Sequence, residues 1–180
     1  MRSLLAAAVL VVPPSVHPWP VGPGPRFTPP PRTVAAPASG LGCTAAGPTF
    51  RVHLELFVDR KVVIVPAGIG VADPSTRAGA TVMPQGCTYP VYTVAPDGVV
   101  RVAWGSNLHL ADFFHVWGQT LGPHRLASFS SPRPLRAYVG GKLVRGPAGA
   151  IRLTPHAQIV LELGAYVPPH PFFLFAGGDS

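Results

Sequence analysis

In the stretch "FRVHLELFV", His53 and Glu55 stand at i and i+2 of an alternating segment, so their side chains share one face of a strand. An imidazole beside a carboxylate is a pairing that binds copper or zinc, although two donors fall short of a complete coordination shell. The other six histidines are more scattered. His17 lies in a proline-rich run and His170 in a proline-rich tail, while His124 and His156 follow Pro123 and Pro155 in loops. His109 occupies the capping position before an amphipathic segment, and His115 sits off that segment's apolar stripe. These six read as surface or capping groups. Glycoside hydrolysis needs two facing carboxylates, yet Glu55, Asp59, Asp73, Asp97, Asp112 and Glu162 are isolated from one another and fall mostly in turns. The chain carries no G-x-S-x-G elbow, no H-E-x-x-H and no glycine loop leading into a helix to cradle phosphate. A hydrolase would need His124 or His156 brought beside Asp97 in space. The expectation is a protein that is not an enzyme and takes no cofactor, with a Cu or Zn site at His53 and Glu55 as the alternative.

What must position that pair is a strand in which Val52, Leu54, Leu56 and Val58 alternate with His53, Glu55, Phe57 and Asp59. Asp59-Arg60 then makes a tight turn into "KVVIVPAGIGV", a returning strand that Pro66 stops. The same form recurs in "LRAYVGGKLVRGPAGAIRL", where Gly140-Gly141 is a strong two-residue hairpin signal. "GCTYPVYTVAPDGVVRV" reads as strand, turn and strand, with the role of scaffold. One amphipathic helix is predicted in "LADFFHVWGQTLG", with Leu110, Phe113, Phe114, Trp117 and Leu121 on one stripe and Gly118 as an early stop. Phe113, Phe114 and Trp117 are therefore assigned to the core. "HAQIVLELG" alternates Ile159, Leu161 and Leu163 inward, and the prolines of "YVPPHPFFLF" allow an edge or a covering tail but exclude a central strand. The pattern predicts an α+β fold: a small, mostly antiparallel sheet with two similar hairpins and one main helix packed across it, in a β-grasp-like arrangement.

Outside that domain, assigned to residues 41–175, the texture differs. Arg2 precedes the apolar run "LLAAAVLVV", so residues 1–12 resemble a signal-peptide core and are far shorter than the roughly 20 residues of a membrane span. Ten of the 24 prolines fall between Pro13 and Pro37, making residues 13–40 a semi-extended linker, and residues 176–180 are a short tail. Cys43 and Cys87 can form one disulfide, or remain two separate buried thiols. A disulfide and a leader together imply an extracytoplasmic location, secreted or leader-anchored. The formal charge of +7 arises because acids number only seven, and the basic residues are dispersed. Dispersed charge of this kind favours an anionic surface or envelope component as partner over specific nucleic-acid recognition.

Taken in order, "GLGC", "VHLELFVDRKVVIVPAGIGV", "CTYPVYT", "DGVVRV", "LADFFHVWGQTLG", "LRAYVGGK" and "LTPHAQIVLELGAYVPPHPFFLF" resemble an uncharacterised, actinobacterial-type family of exported bacterial domains across about residues 40 to 175. The resemblance implies a site of alternating histidines on the first strand, a Y-W-L-H-T-H-D-like segment after the second cysteine and a further histidine beyond a glycine turn, together looking like a metal centre. In this chain those positions hold Thr49, Arg51 and His53, then Tyr92, Thr93 and Val94, then Arg101, so only one imidazole is kept. The function expected is a non-enzymatic exported binding or interaction module at the cell envelope.

Overall fold

The computed structural model describes residues 41–73 and 75–175; the leader, the linker and residues 176–180 lie outside the described residues. Its central strand is β1 (Thr49–Val58), the ten-residue run with the strongest apolar alternation. One edge of β1 is shared: its first half pairs antiparallel with β6 (Val99–Ala103), and Leu56 to Val58 pair with β2 (Lys61–Val63). Along its other edge β1 runs parallel to β12 (Gln158–Leu163). Outward from there come β10 (Arg136–Val139) and β11 (Lys142–Leu143) on one side and β5 (Val91–Thr93) on the other. The sheet order is β11-β10-β12-β1-β6-β5, antiparallel except at the β1–β12 centre. Two small antiparallel sheets flank it: β3 (Ser75–Ala78) with β4 (Thr81–Pro84), and β7 (Leu121–Gly122), β8 (Arg125–Leu126) and β9 (Phe129–Ser130).

The expected α+β arrangement holds, with α1 (Leu110–Trp117) lying against one face of the sheet. Phe113, Phe114 and Trp117 are fully buried among Val52, Leu54, Leu56, Val100, Val102, Ile159, Leu161 and Leu163. Each such side chain contributes about 1.5–3 kcal/mol when removed from water. The Asp112 carboxylate accepts the His109 backbone N–H at 2.7 Å, tying the first turn, and Gly118 ends the helix at φ 72°. That stop takes Leu121 out of the helical stripe. It opens β7 instead, packed on the edge of the core.

Both hairpins form as expected. Asp59 and Arg60 (φ 47° and 66°) and Gly140 and Gly141 (φ 56° and 73°) turn in the left-handed conformations that two-residue hairpins demand. Cys43 and Cys87 are bonded, their Cα atoms 5.5 Å apart, and Thr44 and Thr88 exchange both backbone hydrogen bonds beside the bridge. The bridge fastens the segment before β1 to the segment before β5. Among the described residues no helix is long and apolar enough to cross a membrane.

Candidate functional site

Residues of β1, β6 and β12 that point away from the helix form a second face, with Arg51, His53, Glu55 and Phe57 on β1, Arg101 on β6, and Gln158, Val160 and Glu162 on β12. This face is polar, yet much of it is buried. Its cover is residues 165–175, which cross it without joining as a strand. Asp59 Oδ1 accepts the Ala165 N–H at 3.1 Å where the cover begins, and Val167 packs with Phe57, Tyr138 and Val160. Pro171 then rests on the Gly140-Gly141 turn, where a Cβ on Gly141 would stand 3.1 Å from its own Cβ. Beyond it Phe173 and Phe175 face the sheet, while Phe172 and Leu174 are exposed.

His53, placed on the polar face of its strand by the alternation, sits beneath this cover and is only 5% exposed. Its Nδ1 is 2.7 Å from Gln158 Oε1 and 3.6 Å from Glu55 Oε1, its Nε2 is 3.1 Å from the Asp97 carbonyl oxygen, and Phe173 stacks on the ring at 3.6 Å and 13°. Each ring nitrogen thus has a protein oxygen within hydrogen-bond distance, so a metal ion would have to displace one of these contacts to reach the ring. Glu55 also accepts from His170 Nδ1 at 2.7 Å, so a histidine assigned to an idle tail joins the pair. Among the described residues no group of three or more His, Cys, Asp and Glu side chains is arranged to hold a metal ion.

The "APDGVV" turn builds the floor of the site beneath His53. The carbonyl oxygen of Gly98 (φ 78°) accepts the Leu54 N–H at 2.9 Å, and a Cβ on Gly98 would stand 2.6 Å from the Leu54 oxygen and 3.0 Å from His53 Nε2. Only glycine allows that approach. The Asp97 carboxylate holds the Val99 N–H at 2.9 Å, while its carbonyl meets His53. His124 Nδ1 bonds instead to the Ser131 carbonyl oxygen at 3.2 Å, and the His156 ring lies 5.2 Å from Phe175.

At the other end of the face Glu162 is wholly buried, and Arg136 reaches its Oε2 with Nε and Nη2, each at 3.2 Å. Burial pushes this carboxyl above its ordinary range, against the opposing pull of Arg136. Tyr138 and the Val167 amide lie close enough to bias the group, but neither makes a well-formed hydrogen bond to Oε1. Burial likewise raises the Tyr138 phenol, with Glu162 adding to the shift.

The positions aligned with the resembling domains' histidines are partly gathered here. Arg51 and His53 share the polar face with Arg101, the direct partner of Arg51, and Tyr92 is the direct partner of Arg101. Tyr92 and Val94 do not close over His53; they pack with Ala67, Val71 and Val82. Thr93 turns the other way, its hydroxyl donating to the Pro66 carbonyl oxygen at 2.7 Å and accepting the Ile69 N–H at 3.1 Å. Compared with known proteins, the chain matches no family model, no curated protein and no solved structure.

Three participants escape a reading of the sequence alone: Gln158, His170 and Phe173. The "HAQIV" alternation already puts Gln158 opposite Ile159, but its meeting with His53 depends on the parallel register between strands 105 residues apart. His170 and Phe173 depend on the path of an irregular segment, for which periodicity is silent.

Proposed function

We propose that this protein is a non-enzymatic exported module that binds an anionic component of the cell envelope. The observation that carries this reading is the state of the polar face: His53, Glu55, His170 and the Asp97 carboxylate are each already engaged with a protein partner. A catalytic acid or base must instead reach the proton it moves. The resemblance to exported domains and the Cys43–Cys87 bridge support a compartment outside the cytosol. The charge of +7 supports an anionic partner.

The test uses the full chain expressed with its own N-terminus. Alkylation of unreduced, denatured protein is expected to find no reactive thiol, and envelope preparations are expected to sediment the protein in a salt-dependent way. Two reactive thiols, or no sedimentation at low salt, refutes the proposal.

A second reading, a copper or zinc site built on His53 and Glu55, draws on the contact that brings His170 to Glu55. It requires the Gln158 or Asp97 contact to be exchanged for metal. Metal content of protein isolated without added ions decides it, with His53→Ala and His170→Ala as controls: a stoichiometric ion lost in both variants favours this reading over the first.

A further inference from the structure

The cover that hides His53 carries apolar side chains on its outer surface as well. Phe173 and Phe175 turn toward the sheet, and the alternating Phe172 and Leu174 stand outward, 68% and 81% exposed. Tyr166, whose ring lies against the Arg136 guanidinium, is exposed near the start of the cover. Strand register adds two more. Val62 is the direct partner of Phe57 and Leu143 that of Tyr138, and Phe57 and Tyr138 both pack with Val167 of the cover. Val62 and Leu143 are themselves exposed. Five large apolar side chains on one face of the sheet are a grouping that marks an interaction surface, whereas single exposed residues call for no explanation. Trp104, also exposed, lies with Phe50 on the helix side.

The two turns that hold the cover are cationic. It starts at Asp59, in the turn that carries Arg60 and leads to Lys61, and it crosses the Gly140-Gly141 turn, which leads to Lys142. Arg60, Lys61 and Lys142 are all exposed, and the two lysines stand on outer strands, from which a long side chain reaches either face. The acids of this face are already engaged: Asp59 accepts the Ala165 N–H, Glu55 the His170 ring, and Glu162 is buried against Arg136. From this juxtaposition we propose that the covered face docks on an anionic lipid surface. Phe172 and Leu174 enter the headgroup boundary, and Arg60, Lys61 and Lys142 meet the headgroups. The inference rests on the envelope-binding reading and names the component. Charge favours lipid over a second copy of this chain, because two such faces brought together would oppose like charges.

Co-sedimentation of the full-length protein with vesicles of phosphatidylglycerol, and separately of phosphatidylcholine, tests the docking face. Salt-dependent binding to the phosphatidylglycerol vesicles is expected, about tenfold or more tighter than to the neutral ones. Phe172→Ser combined with Leu174→Ser is expected to weaken it about tenfold or more. Arg60→Gln, Lys61→Gln and Lys142→Gln should each cost about fivefold, while Trp104→Ser on the helix side changes little. Calorimetry of each variant reports on folding. Equal vesicle binding by the Phe172→Ser/Leu174→Ser variant overturns the docking face, since another part of the chain then holds the lipid. A dimer in lipid-free solution that dissociates in that variant also overturns it and assigns the face to a second copy. Sedimentation with envelope preparations but not with phosphatidylglycerol vesicles overturns the lipid assignment alone, and sedimentation with neither strikes the broader reading as well.

Discussion

Removing the Cys43–Cys87 bridge offers the most quantitative test of the architecture. The bridge spans 44 residues of sequence, and closing a loop of that size lowers the entropy of the unfolded chain enough to stabilise the native state by about 4 kcal/mol. Residues 41–175 amount to about 135 residues, for which the unfolding entropy is about 0.28 kcal/mol per degree, so the expected fall in Tm is about 14 °C. The full effect requires that the residues before β1 stay fastened in the native state, which the paired Thr44–Thr88 hydrogen bonds and the packing of Leu41 and Cys43 on the core provide. Urea unfolding and calorimetry of the Cys43→Ala/Cys87→Ala double variant, beside the oxidised protein, measure both quantities. A loss under about 1 kcal/mol would refute the reasoning, because it would mean that this segment frays and the bridge constrains little.

Other outcomes follow from the same geometry. With its folded-state pKa raised, Glu162 keeps its proton in the native state after the unfolded chain has released it. The protein is therefore expected to lose stability relative to Glu162→Gln as pH rises from the ordinary glutamate range to the raised value, by at most about 1.4 kcal/mol per pH unit. Difference curves from urea unfolding that are flat, or slope the other way, would count against it. The Tyr138 phenol obeys the same sign at alkaline pH, so Tyr138→Phe should flatten the loss of stability above pH about 10. Phe113→Ala in the helix should cost about 3–5 kcal/mol by calorimetry, since the ring is completely buried. Phe173→Ala should expose the His53 ring and speed its modification by an imidazole-directed reagent, whereas equal rates in the two proteins would show that the stacking does not shield it.

How far the sequence discloses this molecule depends on the range of the forces involved. Alternation in "FRVHLELFV", the Asp59-Arg60 and Gly140-Gly141 turns and the Phe113, Phe114 and Trp117 stripe are local, and each element formed where its pattern lies. Strand β12 is different: its alternation marks Ile159, Leu161 and Leu163 as inward, but all six of its residues are buried because β1 and β10 flank it and the tail covers its other face. That second cover also explains His53. A residue's own strand says which face it occupies, while what lies over that face is decided by Phe173, 120 positions later. Glu162 escaped notice for the same reason, being isolated in sequence yet joined to Arg136 by strand pairing.

The central parallel pair has a consequence for how the molecule comes into being. β1 leaves the ribosome about a hundred residues before β12, the strand it must lie beside, and the helix that packs on both is made in between. Until β12 emerges the sheet has a gap in its middle, and so distant a pairing closes slowly. Until then the open edge of β1 stays available to wrong partners, so completion of this sheet waits on β12.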